Sequence, residues 1–441
     1  MNFALVEKIL ANYAMHLIPL GVIEQLLQIV NVVFGSNTLI TTEECITHYT
    51  RNIFLFIFLK KKFMKYIYLI ASIIFMLYIS CSKSDGSISY QNCQIDTVVK
   101  SLHIPANFGS LYRISQHVNI NNKNFLIGYD YMLNQLEIWN FDELIPKTSI
   151  QIPKEGPGGM SEVGSFFYHN ADTIFLLSQY SFSIINTEGK SLFSTKINQN
   201  NSALKGIDFS VLSIYPDLAH SAPIYYRANE HALYVPVKHV GSEFSASYYS
   251  YPICARILLP EFKVELLPIY YPKAFENKWY GLLDKPNITF LDDKIIFSFK
   301  NNSNIFMYDD KLKNTTTYEI PSKYCDNQAK PLSVNLKDDG EAINKHLNNS
   351  PIFFGLIYDK FRNQYYRLHT APSNNEDGTR RGYLTFLDAD FNIMTEVALP
   401  YRKYALFRTN NVMPEGLILH KNKESEDLAE IHLYSISCND Q

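Results

Sequence analysis

Five times along this chain, a strand-length apolar run, a polar turn and another such run follow one another. The units are NQLEIWNFDELIPKTSIQIP from Asn134, FSIINTEGKSLFSTKI from Phe182, ICARILLPEFKVELLPI from Ile253, NIFMYDDKLKNTTTYEIP from Asn304 and YLTFLDADFNIMTEVALP from Tyr383. Each also follows an earlier strand that ends in a polar loop. One such hairpin cannot bury its own apolar face, so repeated units must stack against one another. Strand ends at Asn140, Asn186, Asp309, Asp388 and Ser435 recur at about one or two times the 40–50 residues of a propeller blade.

A sixth unit is incomplete. The segment EIHLYSISC, from Glu430, supplies a strand and then the sequence stops. Its missing partner is read as IDTVVKSLHIP, Ile95 to Pro105. Pairing the first strand with the last blade closes a ring and removes exposed strand edges. The expectation is an all-β fold: a six-bladed β-propeller of four-stranded antiparallel blades, the last closed by an N-terminal strand. One or two β-sandwiches with hairpins of similar length are the alternative.

The strand signal is dense past Cys93. Apolar runs of four to eight residues, such as Asn124–Tyr129, Thr173–Leu177, Ala232–Val237, Lys294–Phe299 and Gly416–His420, are bounded by Asn, Asp, Gly and Pro. The 31 Tyr and 29 Phe suit pleated surfaces. Gly340–Leu347 is the best short helical candidate, within a loop.

Ahead of this repeat stands an export pattern. Lys60, Lys61, Lys62 and Lys65 form a positive region, and Tyr66 to Ile79 is apolar over a length typical of a signal peptide. Ser80-Cys81 follows, then the polar run Ser82 to Gly86. A small residue before a cysteine at the end of such a region resembles the bacterial lipobox, in which the cysteine thiol carries a diacylglycerol. A plain signal anchor with an incidental cysteine is the alternative. Because an export signal works at an N-terminus, translation is expected to begin at Met64, with residues 1–63 an over-extended gene start. The organisation expected is that extension, a lipoprotein signal peptide at 64–80, a short polar tether at 81–94 and the propeller at 95–441. A membrane hairpin of Ile53–Leu59 with Tyr66–Ile79 is disfavoured, since its first arm is too short to cross.

A net charge of −3 provides no basic field for nucleic acid. Cys93, Cys254, Cys325 and Cys438 are widely spaced and form no CxxC pair, so no metal site and no cofactor is expected. They are read as buried free thiols, with disulfides of undetermined pairing as the alternative.

The segment from Lys154 to Lys190 carries a Gly-Pro-Gly loop (Gly156, Pro157, Gly158), a strand at Gly164–His169, Asp172 ahead of the next strand, and the turn Asn186–Gly189. In these features the chain resembles the Bacteroidetes six-bladed β-propeller lipoproteins, and most closely the domain-of-unknown-function 4221 family. YYPKAFENKWY and the late FNIMTEVALP and PEGLILH segments fit it too. The resemblance covers about Cys81 to Asn439. It implies a fold and a cell-envelope location, outer-membrane or periplasmic, and no chemistry.

Arg367, His369, Arg380 and Arg381 form the most suggestive polar group. Arg367 and His369 alternate on one strand face, and two arginines flank the loop SNNEDGTRRG. Arginine forks suit a carboxylate or sulfate. The competing reading is a solvated hairpin tip neutralised by Glu376 and Asp377. Glu155–Met160 lacks the Lys-Ser/Thr end of a phosphate loop and reads as a blade connector. His220, His231 and His239 lack metal spacing. Asp292-Asp293 and Asp309-Asp310 read as turn residues rather than acid/base dyads. Trp279, Tyr280, Tyr270 and Tyr271 are candidates to stack on a sugar, and Trp139 is read as core. The expected function is a lipid-anchored binding or interaction module for a glycan or protein ligand. The alternative is a hydrolase or lyase working at the central channel.

Overall fold

The computed structural model describes residues 93–441, except 106–107, 109–111, 113, 157, 179, 198–206, 210–222, 240–247, 310, 312, 374–378, 407–410, 422–427 and 439–441. The described residues belong to one unit, Ile88–Gln441. The proposed signal segment and Cys81 lie outside them.

The unit opens with β1 (Cys93–His103). Blade one is β2 (Ser115–Ile120), β3 (Lys123–Asp130), β4 (Gln135–Asn140) and β5 (Ile145–Gln151). Blade two is β6 (Ser165–Asn170), β7 (Thr173–Leu177), β8 (Ser181–Ile185) and β9 (Ser191–Lys196). Blade three has β10 (Ile207–Phe209), β11 (Tyr225–Arg227), β12 (Ala232–His239), β13 (Cys254–Leu258) and β14 (Lys263–Leu266). Its inner edge is shared, for β11 pairs with the start of β12 and β10 with its end.

Blade four is β15 (Pro286–Phe290), β16 (Lys294–Phe299), β17 (Ile305–Asp309) and β18 (Asn314–Tyr318). After α1 (Gly340–Asn348), blade five is β19 (Ile352–Asp359), β20 (Gln364–Thr370), β21 (Gly382–Leu387) and β22 (Ile393–Ala398). Blade six is β23 (Val412–Met413), β24 (Gly416–His420) and β25 (Leu428–Cys438), completed by β1. The fold is a six-bladed β-propeller.

The burial pattern explains the strand chemistry. Middle strands face neighbouring blades on both sides, so β4 and β21 are buried along their whole length. Outermost strands such as β9 and β18 have no fully buried residue, and β18 reads as a polar run. The core accordingly lies between blades. Ile127 and Leu136 meet Phe166 and Leu176, and Phe182 meets Leu233 and Ile257. Leu126, Trp139 and Phe141 meet Ile418, Ile431 and Leu433 across the closure. Asn121 and Asn122, at φ 52° and 61°, make the two-residue turn between β2 and β3.

The ring closes as the sequence implies. β1 pairs antiparallel with β25 from Cys93↔Cys438 to His103↔Leu428, with Ile95 opposite Ile436. Cys93 is disulfide-bonded, which corrects the free-thiol reading for that residue. Cys254 and Cys325 are thiols outside any disulfide, the first buried and the second half-buried.

The EGPGGM segment joins β5 to β6 and is a blade connector. Gly156 and Gly158 adopt φ of 87° and 78°, and a Cβ on Gly158 would lie 2.3 Å from Ser191 Oγ. The N–H groups of Gly159 and Met160 donate to Gly156 O and Pro153 O at 3.0 and 2.7 Å, which leaves neither for a phosphate. Buried Asn134 anchors the loop by donating to Ile152 O and Met160 O.

Candidate functional site

The innermost strands of all six blades surround a central cavity of about 750 Å3. Its wall includes Ser115–His117 of β2, Ser165–Phe167 of β6, Tyr225 of β11, Ile288–Phe290 of β15, Leu356–Tyr358 of β19 and Val412 of β23. The volume is that of a small-molecule site.

Many of the polar groups there stitch the ring. Asn411 donates to Ser115 Oγ at 2.6 Å, and Gln116 takes both backbone groups of Tyr168 at 2.7 and 3.1 Å. Ser165 Oγ accepts from Ile224 N, and Thr289 donates to Leu356 O at 2.6 Å. Tyr225 donates to Asp292 Oδ1 at 2.8 Å. Arg362 Nη2 donates to Pro414 O at 2.7 Å, linking the fifth and sixth blades. Every neighbouring pair of blades is thus joined by a side chain at its inner edge, and these bonds fix the cavity wall. Burial, then the bond to Asp292, pushes the Tyr225 hydroxyl well above its ordinary pKa, so it acts as a donor.

Another group of polar residues faces the cavity with capacity to spare. The turn between β15 and β16 contributes Asp292 and Asp293, the first residue of β16 is Lys294, and the turn after β19 contributes Lys360 and Asn363. Among the described residues, the side chains of Asp293, Lys294 and Lys360 have no hydrogen bond or ion pair. Lys294 Nζ sits 5.8 Å from the centre of the Tyr365 ring, and Lys360 Nζ sits 5.3 Å from that of Phe361. Asp292, Asp293 and Lys360 are exposed and Lys294 is half-buried. His117 Nε2 lies 3.1 Å from Asn124 Oδ1, and burial lowers its pKa, so the ring is neutral near pH 7. Phe167 and Tyr225 pack edge to face at 5.3 Å, and half-buried Tyr358 adds further aromatic surface.

The arginine and histidine group expected from the sequence lies elsewhere, in blade five and the segments against it. Arg367 and His369 do share a face of β20, but both are 1% exposed. Arg367 donates to Ser303 O and to Asn302 O, the latter at 3.1 Å, and lies 4.8 Å over Phe353. Burial pulls its pKa down to about 9. His369 is stacked between Phe353 and Tyr383, with Nε2 3.0 Å from both Glu396 Oε1 and Ser322 Oγ. Burial lowers its pKa despite Glu396, so its ring is neutral too. Glu396 is pushed up by burial but held below the usual carboxylate range by His369 and the Lys323 N–H. Arg380 clamps the end of α1, donating to Leu347 O, to Ser350 O at 2.8 Å and to Ala371 O at 3.1 Å. Arg381 is exposed. The four therefore do not form one open cluster, because three are committed to backbone carbonyls or buried partners. Glu376 and Asp377 lie outside the described residues.

Other candidates also resolve. Trp279 and Tyr280 are buried at 4% and 1%, which corrects their reading as surface aromatics, and Tyr271 is half-buried. Tyr270 alone of that set is exposed. Trp139 is core. His231 is exposed, His239 stacks on Tyr251 at 3.7 Å, and His220 lies outside the described residues. From the sequence, Asp292 and Asp293 read only as turn residues. They do sit in a turn, but it follows the innermost strand of a blade, and that position places it on the channel.

Comparison with known proteins agrees with this architecture. The family model described as Domain of unknown function (DUF4221) matches residues 88–398. The chain belongs to the DUF4221 family. A crystal structure of a DUF4221 member from Bacteroides vulgatus superposes with a TM-score of 0.68 at 19% identity, covering 78% of this chain and 99% of that one. A Bacteroides fragilis protein, named for inferred export, gives 0.49 at 11% identity, covering 77% and 95%. The WD40 domain of Neurospora crassa Pan2 gives 0.40 at 9% identity, covering 76% and 93%. Of these three, the first is similar enough to speak for the fold, and at that identity it speaks for the fold alone. No curated protein matches this DUF4221 chain in sequence. No helix among the described residues is long and apolar enough to cross a membrane.

Proposed function

We propose that the chain is an exported lipoprotein, held at the cell envelope through Cys81, whose propeller is a binding module with its ligand seat in the central channel. The observation that carries the channel reading is the 750 Å3 cavity, faced by Asp293 and Lys360, neither of which has a hydrogen-bond or ion-pair partner among the described residues. Concave sites where a few polar groups converge are where small ligands bind. Anchoring rests on the positive, apolar and Ser-Cys pattern ending at Cys81.

A thermal-shift screen of small polar compounds against Ile88–Gln441 tests the first part. Stabilisation by a hit, lost in Asp293→Asn and in Lys360→Met, is the expected result. A hit whose effect survives both substitutions would move the seat elsewhere. Cys81→Ser tests the anchoring: incorporation of a fatty-acid label is expected to vanish, and undiminished labelling would refute the anchor. Catalysis in the channel is the alternative reading, favoured by the carboxylates of Asp292 and Asp293 on the cavity wall. Turnover of a hit during the same screen would promote it.

A further inference from the structure

The channel carries charges of both signs that do not neutralise one another. Asp292 and Asp293 lie on one turn, Lys294 ends that turn and Lys360 stands on the next blade. Asp292 spends one oxygen on Tyr225, and Asp293, Lys294 and Lys360 have no ion-pair or hydrogen-bond partner among the described residues. A purely anionic ligand would place its charge beside two carboxylates, and a purely cationic one beside the Lys360 ammonium. A ligand carrying both charges suits both. Elsewhere on the wall the half-buried rings of Phe167 and Tyr358 offer aromatic surface to side chains of intermediate size. The cavity, at about 750 Å3, exceeds the needs of a single amino acid and accommodates two or three linked residues.

We infer that the central channel binds a short peptide with free amino and carboxyl termini. This rests on the channel reading above and narrows it. Asp293, with the spare oxygen of Asp292, takes the ammonium group, and Lys360 takes the carboxylate, while the Lys294 ammonium lies over the Tyr365 and Phe391 rings. Asn363 Oδ1 already accepts from Tyr358 at 3.1 Å, so its amide N–H groups are directed to a ligand carbonyl. Binding of this kind is partly electrostatic at an open site, so it weakens as salt rises.

The test is isothermal titration of the full chain with trialanine, its N-acetyl and C-amide forms, and the doubly blocked form. Maltotriose serves as a neutral control. The free tripeptide is expected to bind, and blocking either end is expected to weaken binding by roughly tenfold or more. Asp293→Asn should erase the preference for a free amino end, and Lys360→Met the preference for a free carboxyl end. Both substitutions sit on exposed turns and should leave the melting temperature unchanged, so lost folding does not explain lost binding. Equal affinity for free and doubly blocked peptide overturns the proposal. Binding of maltotriose without binding of any peptide overturns it too, while leaving the channel as a ligand seat. No heat from any peptide at millimolar concentration also refutes it.

Discussion

Two regions of this propeller carry clustered charge, and they differ in what the charges touch. In blade five, Arg367 is enclosed and donates to carbonyls of the neighbouring blade, while Arg380 holds the end of α1. At the channel, Asp293 and Lys360 stand on turns and make no such bonds among the described residues. The blade-five group has the richer chemistry in sequence and has spent it on structure. The channel group has the composition of ordinary turns and keeps its side chains available. A charged side chain is a candidate for recognition when its bonding capacity is unspent, whatever its residue type.

The comparison breaks most clearly at Arg367. Replacing it with Ala leaves buried carbonyls of Ser303 and Asn302 without a donor and opens a cavity beside Phe353. Stability is expected to fall by about 3 kcal/mol or more, read by urea unfolding. An unchanged midpoint together with lost ligand binding would reverse the roles of the two regions.

Lys300 sharpens the same point from a third site. It is fully buried, and burial, with Lys285 adding to it, lowers its pKa to about 7, although Asp284 pulls the other way. The folded value lies below the unfolded one, so the unfolded state binds more protons between about pH 7 and pH 10. Stability therefore rises with pH through that window, and the cost of burying the charge is complete below it. Lys300→Met is expected to stabilise the protein by about 2 kcal/mol or more at pH 6, with the gain gone by about pH 10. A gain that does not vary with pH would show that packing, and not charge, sets the difference.

Arg380→Ala should cost less, about 1–2 kcal/mol, because the helix end it clamps is partly solvated and water replaces some of the lost donors. Hydrogen exchange should quicken across α1, Gly340–Asn348, before the rest of blade five. Uniform quickening over the blade would mean that the clamp supports more than the helix.

The smallest structural effect belongs to the channel. Asp293→Asn should shift stability by less than about 0.5 kcal/mol, because nothing in the described fold depends on that carboxylate. A loss of several kcal/mol would place Asp293 with the structural group.

Much of the fold is legible in the sequence. The outer hairpins, the spans Thr173–Leu177, Lys294–Phe299 and Gly416–His420, and the strand near Ile95 that completes the last blade all follow from local apolar pattern and turn chemistry. Gly340–Leu347 as a helix is right to within one residue at its end. The site is not legible, for a geometric reason. Arg367 and His369 do share a strand face, but whether that face meets solvent depends on Ser303, Ser322 and Glu396, which are distant in sequence. In the same way, Asp292-Asp293 differs from Asp309-Asp310 in which strand it follows. The former pair follows the inner strand β15, and the latter begins within the third strand, β17, away from the axis. Counting strands within each blade, once the repeat is recognised, places the turns after β15 and β19, like those after the other innermost strands, on the channel.

The central claim is that ligand recognition lies in the channel and not in the blade-five arginines. Side-by-side titration of one confirmed ligand against Asp293→Asn/Lys360→Met and against Arg381→Ala decides it, since both sets of residues are solvent-facing and outside the core. The account predicts at least a tenfold loss of affinity in the channel variant and none in Arg381→Ala. Intact binding in the channel variant with a loss in Arg381→Ala would contradict it.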